Sequence, residues 1–397
     1  MSVAVTHDGF AKAGRSWAGL IEAATAFRRV LHRHPELTWA EHETAAAVRA
    51  GLERAGIPWR ACAGTGTLGT LAPAAPGRHI ALRGDMDALP IEEATGREWS
   101  SVHTGCMHAC GHDGHTATLM AAANWLKQHE AALPGPVTLL FQPAEEGGHG
   151  AKLMVEDGAL DGVDAIYGWH NWPAIPFGQA ICPDGAVMAG NGTFEILLQG
   201  KGGHASQPEA CADPVLAASA VTMALQQIVA RRLAPQHAAV VSVTSIDAPS
   251  APTVIPDTAK IGGSIRLAQS ADRDVINKLI AEIATSAAAA YGVKTEVTLF
   301  PRYGATVNHA AEAGLVRAAL AAELGPAWQA QDTQVPIMAS EDFSYYLNEV
   351  PGAFALIGAG EGRGEDHPCH SPHYDFNDRL IPVVTKMFAR LAGAPLP

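Results

Sequence analysis

The chain has 397 residues, 48% of them hydrophobic and 17% charged, a balance that excludes intrinsic disorder and leaves room for two globular domains. Its 27 basic and 40 acidic residues give a net charge of −13, which argues against a nucleic-acid partner, since that would want a basic face. No apolar run approaches the roughly 20 residues of a membrane span, so no membrane partner is expected.

The N-terminal 20 residues lack the basic start and apolar core of a signal peptide. The six cysteines are too sparse for a disulfide framework, so they are expected to be mostly reduced and the location cytoplasmic. From about Trp17 to Ala55 the chain reads as two helices broken at His34-Pro35, with Leu20, Ala24, Phe27 and Leu31 at helical spacing. Short apolar runs then end in chemically loaded loops. His79–Arg83 runs into Gly84-Asp85-Met86-Asp87, Val137–Phe141 into Glu145-Glu146, and Asp164–Gly168 into Trp169-His170. Alanine-rich helical segments such as Thr116 to Gln128 lie between them. Alternating strands and helices predict an α/β fold, with a mostly parallel sheet and helices on both faces. Ligands of such sheets bind beyond the carboxyl ends of the strands, which is where the candidate residues fall.

The middle third changes rhythm. Strands are expected at Thr193–Gln199, Ala238–Ile246, Ala259–Leu267 and Lys294–Phe300, and helices at Pro214–Leu233 and Asp272–Tyr291. That β-α-β-β-α-β order is ferredoxin-like. The expected division is 1–187 with 301–397 as one domain and 188–300 as an insertion, after which Ala353–Gly358 forms a strand ahead of the His370 loop.

Two adjacent carboxylates at the end of an apolar run, Glu145-Glu146, have two separable jobs available. One can bind a metal ion while its neighbour handles the proton of a metal-activated water; a solvated surface pair is the other reading. Three further segments weigh against the surface reading: Met107-His108-Ala109-Cys110-Gly111-His112-Asp113, Tyr167-Gly168-Trp169-His170-Asn171-Trp172-Pro173 and His370-Ser371-Pro372-His373-Tyr374-Asp375. Together with the glutamates they supply enough thiolate, imidazole and carboxylate for two ions. A thiolate can share electron density between two divalent ions. Cys110 and His112 straddle Gly111 at an expected helix start, where anionic ligands are favoured.

In these motifs, from about Leu31 to Asp378, the chain resembles the dinuclear-metal amidohydrolase and peptidase family. The cysteine form of the Met107–Asp113 motif is similar to the hippurate hydrolase and auxin-conjugate (IAA-amino acid) hydrolase branch. That resemblance implies Cys110 as bridging ligand, His112 and His170 completing one metal site, and Glu146 with His370 completing the other. It implies Glu145 as general base and Asp87 as the residue that orients the base or a ligand, plain turn formation being the alternative for Asp87. Asp85 stands where peptidase relatives carry a histidine ligand and is not expected to bind metal. His32, His34, His108, His115 and His373 are expected to be structural or to support the ligands.

The inserted segment adds Gly202-Gly203-His204, similar to the family's lid histidine that stabilises the developing oxyanion, and Arg266, similar to its binder of the substrate carboxylate. A solvated loop histidine and a solvated strand arginine are the plain alternatives. Thr253 stands where relatives carry asparagine before Val-Ile-Pro and has one hydroxyl in place of an amide, so substrate contacts there differ. The implied protein is a homodimer or higher homo-oligomer that takes two divalent ions per subunit, Zn or Mn, with Co or Ni as options. It would hydrolyse small N-acyl amino acids in the manner of hippurate. A dipeptidase or carboxypeptidase using the same site is the rival reading, and a binding protein that has lost catalysis is the other. Trp172, Phe177, Tyr345 and Tyr346 hint at an apolar acyl pocket, although aromatics also fill cores.

Overall fold

A computed structural model describes residue 10 and residues 16–362 and 366–397. The chain forms two compact units, one of 1–187, 307–335 and 342–397, the other of 188–306 and 336–341.

The first unit is built on a seven-stranded sheet. Across it the strands run Trp59–Cys62, Gly66–Leu71, Val137–Gln142, Ile80–Asp85, Ala165–Pro176, Gly352–Gly360 and Ala180–Ile181. The four from Val137–Gln142 to Gly352–Gly360 are mutually parallel, and antiparallel strands lie to either side. Every residue of Ile80–Asp85, Val137–Gln142 and Gly352–Gly360 is buried. This is the signature of strands covered on both faces. Among the helices packed here are Trp17–Arg33, His42–Arg54, His112–Gln128, Ala310–Leu324 and Leu380–Leu391. Parallel register sets Asp85 opposite Gln142, so the loops carrying Asp87 and Glu145-Glu146 leave the sheet at the same edge.

Helix His112–Gln128 starts just after Gly111, where a helix start was expected, and runs through the alanine-rich segment from Thr116. Gly111 takes φ +94° at its N-terminus, a left-handed conformation that glycine adopts without steric cost. A Cβ there would also collide with Asn171 Oδ1 and Tyr374 OH. Two details of the sequence reading need correction. His170 lies inside the strand Ala165–Pro176, not beyond its end, and His370 follows Gly360, the end of its strand, by ten residues.

The second unit is a four-stranded antiparallel sheet in the order Ala239–Asp247, Thr258–Leu267, Gly190–Gln199, Lys294–Pro301. With helices Pro214–Leu225 and Asp272–Ala289 it has the ferredoxin-like connectivity. Burial alternates along Thr258–Leu267, as it does in a strand with one face on a core. Asp213 caps the first helix, its Oδ1 accepting from Val215 N at 2.8 Å, with proline at the first helical position. That α-helix stops at Leu225, short of the expected Leu233, and a π-helical turn, Ile228–Arg232, follows it.

Candidate active site

Asp87 organises the sheet edge. Its buried carboxylate accepts from the backbone N–H of Glu145 on Oδ1 and of Glu146 on Oδ2, each at 3.0 Å, and from Thr38 Oγ1 at 2.8 Å. The Asp87 backbone oxygen accepts from His112 Nδ1 at 2.9 Å. Burial opposes its charge, but His112, the Glu146 N–H and the Thr38 hydroxyl hold Asp87 below the usual carboxylate range. One ionised side chain thus anchors the glutamate pair and touches the ring two residues past Cys110.

The candidate ligand atoms converge in overlapping groups. Donor atoms of Cys110, His112 and His170 lie within 4.8 Å of one another, as do those of Cys110, Glu146 and His370 and those of His112, Glu145 and Glu146. Cys110 is common to the first two groups, the placement a shared ligand needs. Cys110 Sγ is 3.3 Å from His170 Nε2, and Glu146 Oε1 is 3.1 Å from His370 Nε2. The second rings point correctly as well: His170 Nδ1 donates to Asn171 O at 2.6 Å, leaving Nε2 as the lone-pair atom.

Several observations fit a cation. Buried His112 Nε2 has no hydrogen-bond partner, and such an orphan is costly unless something else satisfies it. Burial pushes the His170 imidazole well below 6.5, with His115 next in effect, so the ring is neutral as a ligand must be. Burial also works against charge on His112, yet Asp85, Asp87 and Glu146 carry it up to about 10. That reports a strongly negative surrounding that a cation would neutralise. Ala144, His149 and His370 take φ of 54°, 59° and 69°; left-handed backbone at non-glycine residues is uncommon and collects at functional sites.

Around this lies polar support that short motifs do not reveal. Asp85 accepts from Arg83 Nη1 and pairs with His115 Nδ1 at 2.6 Å. Burial raises its pKa, but Arg83, His112 and His115 outweigh that and hold it well below the usual range. His115 Nε2 meets Asn171 Oδ1 at 2.7 Å, and Asn171 Nδ2 donates to Tyr374 OH at 2.8 Å. The Asp342 N–H donates to Glu145 Oε1 at 3.3 Å, while its carboxylate accepts from Gln142 Nε2 at 2.8 Å and Ala151 N at 2.9 Å. Asn171 stood next to His170 in the motif and could have been suspected. Thr38 and Asp342 carried no comparable signal.

The remaining candidates lie in the second unit. His204 is exposed in the short pairing of Gly203–His204 with Val254–Ile255, and Thr253 O accepts from Ala205 N at 2.9 Å, so those two expected residues are neighbours. His204 Nδ1 accepts from Ser206 N at 3.2 Å. Arg266 Nη1 donates to Ser340 Oγ at 3.0 Å, and burial followed by Arg302 lowers its pKa. Of the aromatic hints, Tyr346 is corrected to core: it is fully buried and its hydroxyl donates to Gln142 Oε1 at 3.1 Å. Arg379 stacks 3.8 Å over the ring of Phe177.

A parallel-centred α/β unit that gathers a thiol, imidazoles and carboxylates at its sheet edge belongs to the class of metallohydrolases. Residues 81–394 match the family model of peptidase family M20/M25/M40. The chain is 40% identical over 370 residues to the IAA-amino acid hydrolase ILR1-like 2 of Arabidopsis thaliana, covering 92% of this chain and 83% of that protein. It is 42% identical over 356 residues to an N-acetyl-L-cysteine deacetylase of Bacillus subtilis, covering 89% and 83%. Among solved structures, the YXEP protein of Bacillus subtilis, a dinuclear metal binding peptidase from the M20 family, superposes with a TM-score of 0.82 at 34% identity, covering 95% of this chain and 98% of that one. The chain belongs to the M20/M25/M40 peptidase family and is a metal-dependent amidohydrolase. Among the described residues, no helix is long and apolar enough to cross a membrane.

Proposed function

We propose that this enzyme hydrolyses the amide bond of N-acyl amino acids, with Cys110 shared between two divalent ions, His112 and His170 completing one site and Glu146 and His370 the other. The observation that carries the reading is the overlap of two donor groups on the single Cys110 sulfur, beside a glutamate pair anchored by Asp87. Thiolate and imidazole donors suit Zn, and Mn, Co or Ni are alternatives. When bound, the ions supply Lewis acidity, lowering the pKa of water from ~15.7 toward ~7 and polarising the amide carbonyl.

The protein's own groups do the rest. Glu145, with its backbone fixed by Asp87 and one oxygen held by the Asp342 N–H, takes the proton of the attacking water and returns it to the leaving nitrogen. His204 accepts at Nδ1, so its neutral ring carries hydrogen on Nε2, a donor for the carbonyl oxygen as it gains charge. Arg266 offers a fork to the free carboxylate of the amino acid, and Thr253, beside the His204 loop, contributes to substrate contact. The relatives named above act on an acylated amino acid by name, which favours N-acyl amino acids over free peptides. A reducing, cytoplasmic setting suits a chain whose six cysteines are all outside disulfides.

The inserted unit is the proposed dimerisation and lid element. Its sheet ends in the strands Ala239–Asp247 and Lys294–Pro301, and its helix Pro214–Leu225 exposes Leu216 and Met223, an edge and an apolar face that a second copy would cover. The substrate reading is tested by assaying metal-reconstituted enzyme on a panel of N-acyl amino acids and unblocked dipeptides. Release of amino acids from the acylated compounds is expected; release from dipeptides alone would replace the reading with a dipeptidase.

A further inference from the structure

We propose that Cys369 and Cys110 form an oxidation site, in which a hydroperoxide converts the two thiols to a disulfide and thereby unloads the metal centre. The two residues are 259 positions apart in sequence, yet their loops lie side by side. His370 N donates to Ala109 O at 2.7 Å, and Cys369 Sγ lies 3.9 Å from Cys110 O. Cys369 thus lies against Cys110 itself. Asn171 Nδ2 donates to Cys369 Sγ at 3.6 Å and holds it facing Cys110. Cys62, Cys106, Cys182 and Cys211 likewise turn their thiols to backbone oxygens, but to those of Met154, Pro35, Phe354 and Gln207, none of them a cysteine.

Exposure sets the order of events. Cys110 is buried and Cys369 only partly so, so the oxidant reaches Cys369 first. With hydrogen peroxide, the Cys369 sulfur takes one oxygen, giving a sulfenic acid and one water as the O–O bond breaks. The Cys110 sulfur then attacks the Cys369 sulfur; the S–S bond forms, the S–O bond breaks, and the departing hydroxide leaves with the Cys110 proton as a second water. Both thiols are oxidised and the peroxide is reduced. The product takes the Cys110 sulfur from both donor groups at once and ties down the residue beside His370. That consequence rests on Cys110 being a metal ligand, whereas the disulfide itself does not.

The test uses the full chain, stripped of metal by a chelator and then treated with equimolar hydrogen peroxide. Expected are a linked peptide joining Cys110 to Cys369 and an intact mass lower by about 2 Da. Zinc uptake on reloading should fall by at least about tenfold, and dithiothreitol should reverse all three changes. Cys369→Ser should still take up zinc, give no linked peptide, and, given a second equivalent of peroxide, carry Cys110 through the sulfenic acid to a sulfinic acid that dithiothreitol does not repair. Oxidation of either residue without the linked peptide overturns the proposal. A linked peptide with unchanged zinc uptake would keep the thiol pair but overturn Cys110 as a ligand, and with it the unloading.

Discussion

Asp87 shows how much a single side chain can decide in this site. Its two oxygens receive the backbone N–H groups of consecutive glutamates, which fixes where Glu145 and Glu146 point while leaving their own carboxylates for other work. Glu145→Gln should therefore leave metal content nearly intact and lower kcat by about 10²–10⁴-fold, because it removes the proton carrier alone. Glu146→Gln should instead empty one ion site, and equal metal loss in both variants, read by elemental analysis, would refute the division of labour. In Asp87→Asn an amide NH2 would face one of the two N–H donors, so activity should fall by about 10–100-fold, as for other groups that orient ligands. At this scale the sequence exposes what lies within a few residues: Cys110 with His112, and Glu145 with Glu146. It hides Thr38 and Asp342, ordinary polar residues whose partners lie 49 and 197 positions away. Only the folded chain brings those together.

Between elements, helices Trp17–Arg33 and His112–Gln128 meet through a buried charged contact just behind the site. His32 Nδ1 pairs with Asp113 at 2.9 Å and Nε2 with Glu93 at 3.3 Å, near Arg28 and His108. Burial would lower the His32 pKa, but Asp113 and Glu93 raise it to about 9. In the unfolded chain it returns to about 6.5. A raised folded pKa means that the contact stabilises fully below pH ~6.5 and loses its contribution as pH climbs through 9. His32→Gln should thus lower Tm most near pH 6 and progressively less toward pH 9; a deficit constant over that range would show that charge is not what the contact contributes. Gly111 is the second point of control. Gly111→Ala would force a side chain against Asn171 and Tyr374 at positive φ, costing about 1–3 kcal/mol and lowering metal affinity, measurable by thermal melts and zinc titration. Strand and helix periodicity made most elements visible in advance. The end of helix Pro214–Leu225 was not, because the apolar pattern continues past Leu225 through Ile228 into a π-helical turn. Nor did the sequence place His170 within its strand, since Trp169-His170-Asn171-Trp172 lacks the plain alternation of a half-buried strand.

For the molecule as a whole, the proposed chemistry and its proposed assistant belong to different compact units, with the candidate ligands and Glu145 in one and His204 and Arg266 in the other. The ferredoxin-like order of the second unit was legible because the four strands of its main sheet and its two α-helices are long. The rejoining of 336–341 to that unit was not, because it rests on isolated pairings such as Met188 with Ile337. If His204 serves the partner's site, Glu145→Ala and His204→Ala homodimers should each be nearly inactive. Co-refolding them should then restore up to about a quarter of wild-type activity, the yield when half the dimers are mixed and each has one working site of two. No recovery, with mixed dimers confirmed by native mass spectrometry, would mean that His204 does not act across subunits. With Cys110 as a shared ligand, this chain should split amides only when its centre holds metal. The most direct test of that dependence is hydrolysis of an N-acyl amino acid by enzyme stripped with a chelator and then titrated with Zn or Mn, with bound metal counted at each point. Activity should be absent from the stripped enzyme and should return with metal, reaching its limit near two ions per chain. Full activity in enzyme shown by elemental analysis to hold no metal would contradict it.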